Sequence, residues 1–391
     1  MGTAQTRGTG SAARIVSVRY KARRDTALRM LGGLSKANAV VPDVLLLVCQ
    51  DGVGWQDIYY YTGFVGSSGV FLLSRDEAIL FVDPRYEETT ASLGTCRVVS
   101  CAEVRRRSPL QAALDHLSRK KIARLAYGGV AFSHAVFRAV ETALGRAVET
   151  LDVSSLLFGI RRHKSAEEIS CIRRAIDIAA RAYAEVLHEA HARMTERAFA
   201  SLLSCRMHLH GADFHDPVPI MVASGDRVSQ PHALPTDKKF SHGDLVVVDF
   251  GARAGGYVCD VTRMFAIGEP SAETRNLYSV LTWAQAEAAS KLRPGVTAAE
   301  VDAAARGVLA SAGLGEAFVH GTGHGIGLCV HEPPSLGSSS GAVLAVGDVV
   351  TIEPGIYKPG TLGMRIEDDY LVTANGAVCL TEDLNRDLCI V

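Results

Sequence analysis

The sequence predicts two successive domains, an α/β layer domain followed by a larger one in which β segments rich in valine and glycine are interleaved with helices. Three observations carry this. Through the first part of the chain, short apolar runs alternate with amphipathic stretches, as strands alternating with helices do. At Arg161-Arg-His-Lys-Ser-Ala-Glu-Glu-Ile the pattern changes to a long helical period. The length, 391 residues, exceeds what one ordinary core holds. The expected division is a flexible terminus over residues 1–24, a first domain over 25–160 and a second over 161–391.

In order, residues 44–49, 69–73, 78–82, 97–100 and 125–127 read as strands, and Ser133 caps a helix bearing Val136, Phe137, Val140 and Leu144. Ser165 with Glu168 forms a capping box. Beyond it Ile169, Ile172, Ile176, Ala179, Tyr183 and Val186 share one helical face. Two further helical stretches fall near residues 272–292 and 298–312.

Composition narrows the function. With 48% apolar and 21% charged residues the chain reads as a soluble globular protein, and a formal net charge of −1 gives no reason to expect a nucleic-acid partner. The nine cysteines form no CxxC pair, which fits a reducing cytoplasm better than a disulfide framework. No apolar run approaches the length of a membrane span, and the start carries no signal-peptide core, so a cytoplasmic location without membrane contact is expected. The acid-free basic segment up to Arg24 reads as a solvated terminus.

Chemistry concentrates in the second domain. Leu245-Val-Val-Val-Asp249-Phe and Tyr257-Val-Cys-Asp260-Val-Thr are strand-like and separated by Arg253-Ala-Gly-Gly256. A reversal between Ala254 and Gly255 sets Asp249 directly opposite Asp260, with Cβ atoms about 5 Å apart. Two ionised carboxylates there repel by about 3 kcal/mol at an effective dielectric near 20, so the pair calls for a shared proton or a cation. Val349-Val-Thr-Ile-Glu353 and Met364-Arg-Ile-Glu367 flank a loop centred on Gly360, which brings Glu353 and Glu367 into rough opposition, with Pro354 marking an edge or bulge. Asp368 and Asp369 read as supporting or solvent-facing groups. Four carboxylates suit manganese, zinc or cobalt, and His324, set among glycines in Gly321-Thr-Gly-His-Gly-Ile-Gly, can complete the site.

Asp249-Phe-Gly-Ala, Gly256-Tyr-Val-Cys-Asp260-Val-Thr-Arg, His320-Gly-Thr-Gly-His324-Gly-Ile-Gly-Leu-Cys-Val-His331-Glu-Pro-Pro, Thr351-Ile-Glu353-Pro-Gly and Arg365-Ile-Glu367-Asp, in this order, resemble the pita-bread metallopeptidases of the prolidase and Xaa-Pro aminopeptidase family. More loosely, Tyr61-Thr-Gly-Phe-Val-Gly-Ser-Ser-Gly and Asp83-Pro-Arg-Tyr resemble the creatinase-like domain that precedes the catalytic domain in that family. The resemblance therefore implies an α/β creatinase-like domain followed by an α+β pita-bread catalytic domain. It also implies hydrolysis of the Xaa-Pro bond in peptides with proline second, two divalent ions with Mn2+ foremost and Zn2+ or Co2+ as alternatives, and a homodimer.

Carried over by position, Asp249 chelates one ion, Asp260 and Glu367 bridge both, and His324 with Glu353 holds the second. A water or hydroxide shared by the ions is then the nucleophile, with Glu353 as general base and acid. His232 and His331 match histidines that contact substrate, His320 a neighbouring pocket histidine, and Arg365 and Tyr357 their hydrogen-bonding supports. Residues 226–230 and the loop Gly337-Ser-Ser-Ser-Gly341 depart from the family wording. Two other readings stay open on this fold, a hydrolase or lyase of a small metabolite and a binding protein without catalysis. Gly337-Ser-Ser339-Ser-Gly341 also matches a serine-hydrolase elbow in letters, but its flanks read as a loop, and Gly321–Gly327 lacks both the spacing and the following helix of a dinucleotide loop.

Overall fold

The apolar run starting at Val44 forms a strand, β1 (Val44–Gln50), whose first six residues are all buried, as a strand covered on both faces requires. With β2 (Ser68–Leu73), β3 (Ala78–Val82), β4 (Arg97–Ser100), β5 (Arg124–Gly128) and β6 (Glu149–Asp152) it builds a mixed sheet of order β4-β3-β2-β1-β5-β6. The helices of this part are α1 (Thr9–Gly33), α2 (Trp55–Thr62), α3 (Glu87–Ala91), α4 (Pro109–Ser118), α5 (His134–Leu144) and α6 (Ser154–Arg162). Leu114 and Leu117 of α4 and Val136 and Val140 of α5 join Leu46, Leu72 and Phe81 of the sheet in one core. The computed structural model describes residues 9–34, 41–101, 108–129, 131–213 and 219–391. Its chain divides into two units, Met1–Ile160 and Arg161–Val391. Among the described residues, no helix is long and apolar enough to cross a membrane.

The expectation of a flexible terminus through Arg24 fails over its later residues, which lie in α1; residues 1–8 of that segment are outside the described residues. Tyr20, Arg23 and Arg24 are buried. Arg23 Nη1 donates to the Tyr60 carbonyl at 3.0 Å, and Arg24 donates to Tyr61 O at 2.9 Å and Thr95 O at 2.7 Å. Tyr60 and Tyr61 stand in the last turn of α2, where carbonyls lack helical partners and the dipole is negative, so guanidinium groups suit them. Gly63, in the left-handed region at φ 80, ends α2 and leaves room for the Tyr20 ring, which a Cβ would approach to 2.8 Å. Charge alone marked these arginines as solvated; their partners lie 37 and 71 residues away.

The second unit contains α7 (Ala166–Glu189), α8 (Glu196–Leu209), α9 (Ala272–Ser290) and α10 (Ala298–Ser311). Its strands are β7 (Met221–Ser224), β8 (Leu245–Phe250), β9 (Arg253–Ala254), β10 (Tyr257–Val258), β11 (Val261–Ala266), β12 (Gly323–Gly325), β13 (Glu332–Leu336), β14 (Val349–Ile352), β15 (Gly355–Lys358), β16 (Leu362–Arg365), β17 (Asp368–Thr373), β18 (Gly376–Cys379) and β19 (Cys389–Ile390). They form sheets of order β19-β11-β8-β7 and β13-β12-β14-β17-β18 with two short ribbons, β9-β10 and β15-β16. The Ser165–Glu168 capping box starts α7, and a second box, Thr297 with Glu300, starts α10. Helix α8 had no counterpart in the sequence reading, although Thr195 caps it and Phe199, Leu203 and Met207 recur every fourth residue on its buried face.

Replacing Arg24 by alanine removes two hydrogen bonds from a buried guanidinium to the Tyr61 and Thr95 carbonyls, so the variant is expected to lose about 1–3 kcal/mol in chemical denaturation of the protein. An unchanged midpoint would show that the Arg24 hydrogen bonds contribute nothing to this unit.

Candidate metal centre

The first acidic hairpin turns one residue later than expected. Gly255 and Gly256 occupy the turn with φ 57 and 83, and Tyr257 pairs with Ala254. A tight turn with two positive φ values favours two glycines, whereas a turn centred on Ala254 would force a β-carbon into that region. As a result Asp249 pairs with Thr262, not Asp260. The correction shifts the register by two residues, and because side chains alternate with period two, Asp249 and Asp260 stay on one face as diagonal neighbours.

The second hairpin keeps the expected opposition. Ile352 pairs with Asp368 on one side of the acids and Gly355 with Arg365 on the other, which sets Glu353 against Glu367 where the strands part around Pro354. Lys358–Thr361 closes it, with Pro359 and Gly360 central and Gly360 at φ 71, the residues a type II turn favours. An antiparallel bridge between Thr262 and Glu367 ties the hairpins together, and Thr262 Oγ1 donates to Glu367 at 2.8 Å. Asp260, Glu353 and Glu367 thus stand just where sheet pairing stops, and Asp249 in the strand beside them.

His324 comes from β12, whose backbone approaches too closely for side chains at its ends. A Cβ on Gly323 would meet Thr351 O at 2.0 Å, and one on Gly325 would meet Pro333 O at 2.5 Å. His324 Nδ1 donates to the Gly325 carbonyl at 3.2 Å, so the Nε2 lone pair faces Glu353 at 3.4 Å and Asp260 at 3.7 Å. Burial pushes this imidazole down to about 4, which keeps it neutral at pH 7. Burial likewise lowers His320 to about 4; its Nδ1 donates to Gly321 O at 2.8 Å and its Nε2 accepts from the Tyr357 hydroxyl at 3.2 Å.

One cavity of about 480 Å³ gathers Asp249, Asp260, His324, Glu353, Glu367, Arg365 and the histidines 232, 320 and 331. Tyr357, expected to support the site, does not line the cavity; its hydroxyl accepts from Arg365 Nη1 at 2.7 Å. Arg365 also bonds Asp249, Thr262 Oγ1 and the Pro231 carbonyl beside His232. His232 and His331 are exposed on the open side. His331 is anchored through Glu332, which is buried against Arg161 at 2.8 Å and Lys164 at 3.5 Å and accepts from the amides of Leu328 and Cys329.

Electrostatically the cluster is unbalanced. Burial, followed by repulsion from Asp249, Asp369 and Glu353, raises Asp260 well above the usual carboxylate range; burial and then Asp260 do the same to Glu367. Burial lifts Glu353 to about 7. Asp260 Oδ1 is buried without any hydrogen-bond partner. Ligand atoms of Asp260, His324 and Glu367 all lie within 4.8 Å of one another. Three donors that converge in this way, one a neutral imidazole and one a carboxylate with an oxygen left unpartnered, fit a divalent cation, and the mixed oxygen and nitrogen donors suit manganese, zinc or cobalt.

Several contributors escaped the sequence reading. Thr262 and Thr351 are fully buried, and Thr351 Oγ1 accepts from the His324 amide at 3.1 Å. Thr262 stands two residues beyond Asp260, so the alternation rule could have found it. Asp368 and Asp369 are not solvent-facing: both are fully buried, and Asp369 accepts from the Asp260 amide at 3.2 Å. Gly337–Gly341 follows strand β13 and leads into a loop without a helix, and Gly321–Gly327 likewise precedes no helix, which removes the serine-elbow and dinucleotide readings.

Residues 170–374 match the model of metallopeptidase family M24, and residues 40–163 match the creatinase/prolidase N-terminal domain. The peptidase YqhT of Bacillus subtilis (strain 168) is 37% identical over 326 residues, 83% of this chain and 91% of that one. Among solved structures, the X-Pro aminopeptidase from Thermotoga maritima MSB8 superposes with a TM-score of 0.83 at 33% identity, covering 90% of this chain and 98% of that one. The prolidase from Pyrococcus horikoshii OT3 gives a TM-score of 0.83 at 30% identity over 94% and 99%. The chain therefore belongs to metallopeptidase family M24, in the prolidase and Xaa-Pro aminopeptidase family. Its fold is a creatinase-like N-terminal domain followed by a pita-bread catalytic domain.

A carboxyl whose folded pKa is raised costs nothing below the unfolded value near 4 and destabilises the fold as pH climbs past it. Asp260→Asn removes one such group. Without metal, the variant is expected to melt above wild type by at least about 2 °C at pH 8, with the gap shrinking towards pH 4. A gap that does not depend on pH would contradict the repulsion described.

Proposed function

We propose that this chain is a dinuclear Xaa-Pro peptidase that hydrolyses the bond before proline at the N-terminus of dipeptides or short peptides. The observation that carries the reading is the convergence of Asp260, His324 and Glu367 within 4.8 Å of one another, in a cavity that Asp249 and Glu353 also line. Asp249 would hold one ion, Asp260 and Glu367 both, and His324 with Glu353 the other. When bound, the ions supply Lewis acidity that polarises the scissile carbonyl and makes water a stronger nucleophile near neutral pH.

The protein groups have separate tasks. Glu353, which lines the cavity, takes the proton of the attacking water and passes it to the departing proline nitrogen. His232 and His331, on the open side of the cavity, donate to the substrate carbonyl as negative charge develops there. Arg365 fixes Asp249 and the loop bearing His232, and Tyr357 links Arg365 to His320, so these residues orient the site without touching the reacting bond. The support for an Xaa-Pro substrate is the naming of the relatives as X-Pro aminopeptidase and prolidase.

Chelation should abolish cleavage of an Xaa-Pro peptide and added Mn2+ restore it. Asp260→Asn and Glu367→Gln are expected to purify folded but metal-poor and inactive; elemental analysis finding two ions per chain in either variant would refute the bridging roles. His232→Ala and His331→Ala should lower kcat by about 10²-fold with full metal content. If either is purified without metal, it is a ligand and not a substrate contact.

A further inference from the structure

The basic run Arg161-Arg-His-Lys164, which ends α6 and precedes the Ser165 cap of α7, divides between two buried acids. Arg162 holds Asp348 through Nε at 2.7 Å and Nη2 at 2.6 Å, and His163 Nδ1 stands 3.7 Å from the same carboxylate. Arg161 and Lys164 take Glu332 instead, at 2.8 and 3.5 Å. Glu332 opens β13 and Asp348 stands just before β14, so the run grips both ends of the segment between them.

The two grips differ in what they cost. The Arg162 side chain is 18% exposed, whereas those of Arg161, Lys164 and Glu332 are each at most 3% exposed. Burying two cations with one anion carries a desolvation penalty that their attraction often fails to recover, so the triad is a poor device for stability alone. Nor does the run need it for its seat. Arg162 provides one, and the Lys164 amide, which donates to the Gly347 carbonyl at 2.9 Å, provides another.

What the triad adds is a fixed Glu332 carboxylate. Its Oε1 accepts from the amides of Leu328 and Cys329 at 3.1 Å each, and Arg161 also donates to Cys329 Sγ at 3.5 Å. A Cβ on Gly327 would meet Glu332 Oε2 at 2.5 Å, so this loop admits the carboxylate only because it has no side chain there. Although burial acts the other way, the charges of Arg161 and Lys164 hold the Glu332 carboxyl below the usual carboxylate range, and it is an anion at pH 7. Gly321, Gly323, Gly325 and Gly327 make the backbone leading into the loop permissive, so it gains much from an anchor. His331 adjoins Glu332 directly. Its ring lies against that of His324, with centroids 4.3 Å apart, and its place in the cavity follows the course of its backbone.

Resting on the reading of the site as an Xaa-Pro peptidase in which His331 contacts substrate, we infer that Arg161 and Lys164 are positioning residues for this imidazole. Through Glu332 they fix the loop of residues 327–331 and so set where the His331 ring meets the substrate carbonyl.

Steady-state kinetics on the Mn2+-loaded full chain, with Ala-Pro and Ala-Pro-Ala as substrates, test this through a double-mutant cycle. Arg161→Ala and Lys164→Met are each expected to lower kcat by about tenfold or more, at unchanged KM and full metal content. In a His331→Ala background the same substitutions should change kcat by no more than about twofold, because the group they position is gone. Arg162→Ala, which opens the other grip, should keep kcat within about twofold of wild type. Lys164→Met preserves the volume of the buried side chain and carries the test if Arg161→Ala does not fold. Wild-type kcat in both variants, losses that persist in the His331→Ala background, or an equal loss in Arg162→Ala each overturn the positioning role alone. A wild type that cleaves neither peptide overturns the peptidase reading and this inference with it.

Discussion

Mutual repulsion among four carboxylates in a desolvated cavity is the constraint around which the second unit is organised. Asp249, Asp260, Glu353 and Glu367 surround one space, and among the described lining residues Arg365 is the guanidinium that offsets them. Such a cluster is not something a chain collapses into; each acid must be held there by groups that gain from holding it. Backbone pairing does most of this, since the two hairpins and the Thr262–Glu367 bridge fix the Cα positions through hydrogen bonds indifferent to side-chain charge. What remains as repulsion is free energy that a cation recovers on binding, so a site costly to fold empty stabilises the fold when filled.

The legible part of this arrangement was the part governed by short-range rules. Alternation placed Asp249 and Asp260 on one face even though the turn was set one residue too early, because a shift of two preserves the face. The capping box at Ser165 located α7, and a run of apolar residues located β1. The illegible part depended on partners distant in sequence. Nothing local says that Arg24 will meet the carbonyl of Thr95 or that Glu332 will meet Arg161 and Lys164, and a charged residue read alone is assigned to solvent. The helix α8 was missed for a different reason: its buried apolar stripe is only Phe199, Leu203 and Met207, and Ala198, Ala200, Leu202, Cys205 and Leu209 spread apolar residues over the other faces and blur the period.

Glycine had to be read twice. At Gly255 and Gly256 it permits the positive φ values of a tight turn, whereas at Gly323 and Gly325 its role is the absence of a side chain, which lets β12 lie against Thr351 and Pro333 with His324 between them. The same residue type therefore sets the register of one element and the depth of another. Both uses determine where a candidate ligand stands.

The run Glu367-Asp368-Asp369 condenses the logic of the site into three residues. In an extended strand the first and third share a face and the second opposes them. Glu367 accordingly lines the cavity, and Asp369 accepts the Asp260 amide beside it. Asp368 turns the other way, where Arg263, Gln285, Thr381 and Arg386 all donate to it. The contrast is one of compensation: Asp368 has two guanidinium partners, whereas Asp369, whose second oxygen is buried without a partner, is pushed by burial well above the usual carboxylate range. Of three adjacent acids, one is a structural anion paired by two guanidinium groups, and the two on the other face receive neutral donors alone, from Thr262 and the Asp260 amide, among the described residues. That asymmetry, set by nothing more than strand alternation, separates the half of β17 that holds the fold together from the half that holds the site open to a cation.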